Sequence, residues 1–273
     1  MAHIVIIGAG VGGLPCAYEM KETLSKDHKI SIINERDHFQ FTPSNPWVAV
    51  GTRTPENISV PLSPVLAKKG INFIQDRVTK IDAENNKLEL KDGDALDYDY
   101  LVITTGPRLA FEEVPGSGPE GFTTSICTTE HAANALDDYN KLVENPGPVI
   151  VGAMPFASCF GPAYEFAFIL DWVLRKKKMR NKVPMTFVTS EPYIGHLGLG
   201  GVGDSRGMLE SDLRAHNINF ITNAKTTKVE DGMMFVDEMN EDGSVKKQHE
   251  LPFTYSMMLP AFKGVYAVAE VEG

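Results

Sequence analysis

The chain has 273 residues, 42% of them hydrophobic, and a formal net charge of -10. That length suffices for two domains that each bury a core, and the acidic balance argues against a nucleic-acid partner and against general attraction to anionic lipid. No apolar run approaches the roughly 20 residues of a membrane-spanning helix, and the apolar stretch at residues 3–7 runs into glycines rather than a small-residue cleavage site.

Residues 3–8 read as a buried parallel strand, followed by glycines, a helix from about residue 11 to 24 and a second strand at 29–33: one βαβ unit. Residues 71–105 alternate short strands with turns, with Lys91-Asp92-Gly93 as a hairpin tip and a buried strand at 100–104. Residues 107–124, rich in Gly and Pro, read as a linker, and a helix follows at 129–144 with Thr128 or Thr129 as its cap. A second βαβ pattern comprises a strand at 148–152, a helix at 162–178 and a strand at 185–189, and short strands at 226–255 surround a turn at Glu241-Asp242-Gly243. The expected class is α/β, with two Rossmann-like dinucleotide folds in tandem. Their expected bounds are 1–110 for the first fold, 111–146 for a linker and helix, and 147–258 for the second fold. Residues 259–273 are expected to begin a return to the first fold, which the end of the chain leaves incomplete.

The spacing G-x-G-x-x-G falls at Gly8, Gly10 and Gly13. Gly8 allows the tight turn out of the strand, Gly10 leaves room for a pyrophosphate, and Gly13 lets helix and strand pack closely. Glu35 ends the next strand, where an acid meets a ribose 2′-hydroxyl and disfavours a 2′-phosphate. In the second unit Gly152 is followed by Met154 where a second glycine is expected, and a Met side chain there is expected to crowd a pyrophosphate. Glu191 follows the strand at 185–189 and reads as a surface acid.

Three cysteines, Cys16, Cys127 and Cys159, do not form a secreted disulfide framework. Cys16 reads as a small core residue. Cys159 precedes a helix, whose N-terminus is expected to lower its thiol pKa. Cys127 with His131 forms a Cys-x-x-x-His pair that is either a thiol with its base or purely structural. Glu165 is either a solvated charge or a buried functional acid. No metal site emerges from the scattered histidines.

Several stretches together resemble bacterial sulfide:quinone oxidoreductases: residues 7–13, Phe39-Gln40-Phe41-Thr42-Pro43-Ser44-Asn45-Pro46-Trp47, Thr105-Gly106-Pro107, Ser125-Ile126-Cys127, residues 158–165 and residues 190–198. The resemblance implies FAD in the first fold, sulfide as electron donor and quinone as acceptor. It implies that Cys159 attacks sulfide sulfur beside the flavin, that Cys127 is a second family cysteine, that His131 and His196 handle protons, and that Glu165 belongs to the catalytic group. It assigns FAD contacts to Gly8, Ala9, Gly10, Val11, Gly12, Gly13, Glu35, Thr42, Val78, Thr105 and Gly106.

Members of this family are longer. The resemblance therefore implies further chain that completes the FAD fold, adds a third redox cysteine and supplies amphipathic helices for peripheral membrane contact. Without it, weak FAD retention and little turnover are expected. The expected location is the cytoplasm or the periphery of the inner membrane, with oligomers open. An NADH-type flavin dehydrogenase and a non-catalytic fragment of the flavoprotein remain as alternatives.

Overall fold

The computed structural model describes residues 1–271. The chain divides into two compact units. One comprises residues 1–41, 56–108 and the described residues from 263 on; the other comprises 42–55 and 109–262.

In the first unit, β1 (His3–Ile7), α1 (Gly13–Thr23) and β2 (Lys29–Asn34) form the βαβ core. With β3 (Asn72–Gln75) and β4 (Tyr100–Ile103) they make a four-stranded sheet of order β3-β2-β1-β4, parallel throughout. Apolar side chains alternate between its faces, which explains the near-continuous runs in β1 and β2. Ile4, Ile6, Ile30 and Ile32 pack with Ala17, Leu62 and Leu66, whereas Val5, Ile7 and Ile33 pack with Val78, Ile81, Leu88 and Tyr98. Cys16 lies half-buried against the first of these clusters. A three-stranded antiparallel sheet at residues 78–97 precedes β4, and Lys91-Asp92-Gly93 lies at its second turn.

The second unit repeats the plan. α2 (Thr129–Glu144) leads into β5 (Val149–Ala153), α3 (Gly161–Lys176), β6 (Met185–Thr189), α4 (Ser205–Ala215), β7 (Ile218–Ile221) and β8 (Tyr255–Leu259). The parallel sheet has the order β7-β6-β5-β8, the same relative order as the first. An antiparallel three-stranded sheet at residues 224–252 again sits between its third and fourth strands in sequence.

Three features depart from the sequence reading. The segment 107–124 is more than a linker: Thr124 N–H donates to Ser256 O (2.7 Å) and Met258 N–H donates to Thr124 O (3.1 Å), so its end runs alongside β8. Residues 42–55 group with the second unit because the short helix Asn45–Ala49 packs on α2 and α3. Asn45, fully buried, donates from Nδ2 to Ile126 O (2.9 Å) and accepts from Thr129 Oγ1 (3.1 Å). The helix at 205–215 follows a glycine-rich run and has no counterpart in the sequence reading.

Helix α3 is anchored at its C-terminal end. Asp171, fully buried, accepts from Arg175 Nε (2.7 Å) and Arg180 Nε (2.6 Å), and it contacts His216 Nδ1 at 2.6 Å. Burial acts to raise the Asp171 pKa, but hydrogen bonds from Arg175, His216 and Arg180 outweigh it and hold the carboxyl below its usual range.

Candidate functional site

The first unit builds an open cradle after β1. Gly8 has φ +98°, and its N–H donates to Ile33 O at 2.8 Å. A Cβ on Gly8 would lie 2.4 Å from Thr104 O, and one on Gly13 would lie 1.9 Å from Gly8 O, so both positions demand glycine. Thr104 Oγ1 lies within hydrogen-bond distance of Ile7 O (2.8 Å) and Gly8 O (2.9 Å), locking the turn to the end of β4. By contrast, Cβ atoms on Gly10 and Gly106 would meet nothing within 4 Å. Helix α1 begins after Gly12 without a side-chain cap; Leu14 N–H already donates to Gly10 O (3.1 Å) and Pro15 has none, which leaves the amides of the glycines at its start for a ligand. This combination of two closed glycines, two open ones and an uncapped helix start fits a dinucleotide pyrophosphate.

The other residues expected to hold the cofactor are placed unequally. Ala9 N–H is already donated to Asn34 Oδ1 (3.0 Å), which leaves the turn braced from β2 rather than free at that amide. The Val11 side chain is exposed. Glu35 follows β2, is exposed, and accepts a hydrogen bond from Arg77 Nη2. Val78 packs its side chain into the apolar cluster beneath the sheet, leaving only its backbone for a ligand. Thr105 Oγ1 donates to its neighbour's carbonyl, Gly106 O, at 3.2 Å. Thr42 is exposed and belongs to the second unit. Thr104 and Asn34, which brace the turn, escaped the sequence reading; their signal is a hydroxyl and an amide at the ends of the two strands flanking β1.

In the second unit the corresponding turn is longer and filled differently. A Cβ on Gly152 would lie 1.7 Å from Val188 O on β6, so this glycine serves strand approach and not a ligand. The Met154 side chain does not crowd a phosphate site as expected. It is fully buried in a cluster with Ile150, Val188 and Met258, because Met154 still follows the strand register and its N–H donates to Leu259 O at 2.8 Å. Residues 155–160 then carry the chain to α3. Phe156 there is exposed with φ +63°, and Cys159 is exposed.

This unit holds two of the three thiols, one just before α2 and one just before α3. Burial pushes the Cys127 thiol up to about 11, a hydrogen bond with Ser125 opposes that, and the charge of the neighbouring Cys159 adds to it. Cys159 also departs from the expected direction: partial enclosure of its thiol raises its pKa. Thr128 Oγ1 accepts from His131 N–H (3.1 Å) and caps α2 immediately after Cys127. The His131 ring tilts against Phe111 at 5.9 Å and lines a polar cavity of about 310 Å³ with Thr123, Thr124, Ser125 and Tyr255.

His196 sits on a glycine-rich loop, its ring edge-on to Tyr193 at 5.1 Å. A Cβ on Gly198 of that loop would lie 3.4 Å from the Phe160 ring and 3.8 Å from Ser158 O, so the loop lies against the residues flanking Cys159. Glu165 is exposed, which leaves it the solvated charge of the two readings. The buried acid of this region is Glu191, 1% exposed, contrary to its reading as a surface residue. It is buried because Tyr164, Thr189 and the Leu197 backbone all donate to it.

Two parallel-sheet folds of identical strand order, with an open glycine cradle after the first strand of one of them, define a protein built on two dinucleotide folds. The chain belongs to the pyridine nucleotide-disulphide oxidoreductase family, whose model matches residues 2–259. It is 44% identical to the sulfide-quinone reductase of Aquifex aeolicus over 98% of this chain and 60% of that protein. It is 28% identical to the mitochondrial sulfide:quinone oxidoreductase of Dictyostelium discoideum over 68% of this chain and 42% of that one. The crystal structure of the Aquifex aeolicus sulfide:quinone oxidoreductase superposes with a TM-score of 0.93 at 43% identity, covering 100% of this chain and 61% of that chain. The chain thus spans about three fifths of the length of its Aquifex relative. Among the described residues, no helix is long and apolar enough to cross a membrane.

Proposed function

We propose that the chain serves an FAD-dependent oxidation of sulfide with quinone as electron acceptor. The observation that carries this reading is the exposed Cys159 flanked by the His196 loop, in a chain 44% identical to a sulfide-quinone reductase. FAD, when bound, supplies the two-electron acceptor. Gly8, Gly10 and Gly13 with the start of α1 hold its pyrophosphate, Glu35 takes a ribose hydroxyl, and Gly106 offers open backbone.

Cys159 takes up sulfide sulfur as a persulfide. A thiol and hydrogen sulfide become a persulfide with loss of two protons and two electrons, and the electrons pass on to quinone, which gains two protons as quinol. Because burial raises the Cys159 pKa, the thiol needs a base to react near neutrality. His196, on the loop packed against Ser158 and Phe160, is assigned that proton. His131, in the first turn of α2 just after Cys127, is assigned the second proton-handling role. With quinone drawn from a lipid phase, the protein works at the periphery of the membrane.

The test is Cys159→Ser in the flavin-loaded protein. A serine hydroxyl is a poor nucleophile without a strong base. Sulfide-dependent bleaching of the flavin absorbance is expected to fall by orders of magnitude while the flavin stays bound. Bleaching at the parent rate would place the nucleophile elsewhere.

A further inference from the structure

The loop that carries His196 is poorly suited to hold a side chain still. Five glycines fall between residues 195 and 203, all with positive φ, and Leu197 adopts φ +56° without being glycine. Glycine-rich backbone of this kind is permissive, and a non-glycine residue in the left-handed region costs roughly 1–3 kcal/mol unless its surroundings hold it there.

What holds it is buried and polar. Glu191 Oε1 accepts the Leu197 N–H at 2.6 Å, and Glu191 Oε2 accepts the hydroxyls of Tyr164 (2.7 Å) and Thr189 (2.8 Å). The Tyr164 oxygen in turn accepts the Gly195 N–H at 3.0 Å. The residues on either side of His196 are therefore tied to one carboxylate–phenol pair. Tyr164 stands on α3, five residues after Cys159, and its ring stacks on Phe187 of β6 at 4.4 Å. The same pair thus connects the start of α3, the end of β6 and the His196 loop. None of these contacts is needed to close the sheet, whose strands are already paired.

We propose that Glu191, acting with Tyr164, is a positioning residue that fixes His196 relative to Cys159. This rests on the assignment of the Cys159 proton to His196. Glu191 touches no reacting atom; it sets the backbone from which the imidazole projects. A glutamine at 191 has the same shape but carries one donor group. Facing the two hydroxyls with its oxygen, it turns its amide N–H₂ toward the Leu197 N–H and releases that tether. A phenylalanine at 164 releases the Gly195 N–H and one of the three partners of Glu191.

The experiment uses the flavin-loaded protein with ¹³C-labelled histidine, as parent, Glu191→Gln, Tyr164→Phe and His196→Asn. Two quantities are followed against pH: the His196 ring resonance and the rate of sulfide-dependent flavin reduction. Glu191→Gln and Tyr164→Phe are expected to shift and broaden the His196 resonance. They are also expected to lower the reduction rate about tenfold to a hundredfold, as for a misplaced catalytic group. Both should displace the limb of the pH profile that His196→Asn removes, with flavin content unchanged. The proposal is overturned if both variants keep the parent resonance and pH profile and lose only thermal stability. If Glu191→Gln does not fold, Tyr164→Phe decides alone. If His196→Asn keeps the parent rate and profile, the role of His196 fails, and with it the catalytic meaning of the tether. That outcome remains distinguishable, because the His196 resonance still reports whether Glu191 holds the loop.

Discussion

The helix that follows the first sheet strand of each unit leaves the same kind of strand, but the two are seated by opposite ends. Helix α1 is held at its start: Gly13 lies so close to Gly8 O that a Cβ would reach within 1.9 Å of it. Helix α3 also starts on a glycine, Gly161, yet a Cβ there would meet nothing within 4 Å. It is held instead at its far end, where Asp171 gathers Arg175, Arg180 and His216. A helix pinned by its first turn leaves a short connection with open backbone at Gly10. A helix pinned by its last turn frees the connection to lengthen, and residues 154–160 use that freedom to present Cys159. One βαβ plan thus yields a dinucleotide cradle in one copy and a thiol-bearing turn in the other.

The largest effect is expected from removing the distal anchor. Asp171→Ala leaves Arg180, itself 8% exposed, without its countercharge, though its guanidinium keeps the carbonyls of Val183, His216 and Asn217. Breaking a buried pair on one side costs about 3–5 kcal/mol, measurable by urea denaturation. The Asp171 pKa is depressed in the folded state, so its contribution is present above the unfolded carboxylate pKa and is lost as pH falls through the folded value. Part of the acid-side decline in parent stability should therefore vanish in the variant. An Asp171→Ala protein as stable as the parent would remove the distal anchor from the comparison.

Next comes the proximal anchor. Gly13→Ala forces the Gly8 carbonyl and the Thr104 hydroxyl to move, an overpacking that costs about 1–3 kcal/mol or more. Gly161→Ala meets open space in a helical position and is expected to be neutral or to stabilise by up to about 1 kcal/mol. Equal losses at both glycines, read from thermal unfolding, would show that the helices are seated alike.

A smaller and more selective effect is expected at the ligand side of the cradle. Glu35→Ala should weaken FAD binding by about 1–3 kcal/mol, the scale of a hydrogen bond to a charged group, as measured by flavin titration. Folding stability should hardly change, because the Glu35–Arg77 pair is exposed on both sides. Unchanged FAD affinity would count against the ribose assignment.

The sequence exposes whatever is local. The helix at residues 129–144 and the strand at 185–189 have the bounds read from periodicity and caps, and the Gly8-Gly10-Gly13 spacing announces its turn because every residue involved lies within six positions. The short helices Asn45–Ala49 and Leu62–Lys68 show no period to read. Residues that brace the candidate sites are hidden for another reason, which is distance along the chain. Thr104 reaches Gly8 across 96 positions, Asn34 reaches Ala9 across 25, and Tyr164 reaches Glu191 across 27. A lone acid after a strand is the same letter whether solvated like Glu35 or enclosed like Glu191; only the packing of α3 against β6 separates them. Met154 misled for the converse reason. Its place in the motif pointed toward a ligand, but the strand register continues through it and carries its side chain into the core.

The finest effect concerns the pH at which the thiols react, and it probes what the lengthened turn offers Cys159. A thiol at a helix start is expected to ionise early, whereas a thiol partly enclosed by apolar groups ionises late. Here burial prevails at both cysteines, more strongly at Cys127, whose thiol is pushed up to about 11. A raised pKa means a smaller thiolate fraction at any lower pH, so alkylation by iodoacetamide should begin at higher pH than for a free cysteine peptide. Cys159, exposed, should be modified first, and Cys127 should resist until the solution approaches about pH 11. Peptide mass spectrometry over a series of pH values reads both residues in one digest. Rapid alkylation of Cys159 at neutral pH would show that the start of α3 lowers its pKa after all. The thiol would then need no base, and the case for proton transfer by His196 would lose its chemical motive.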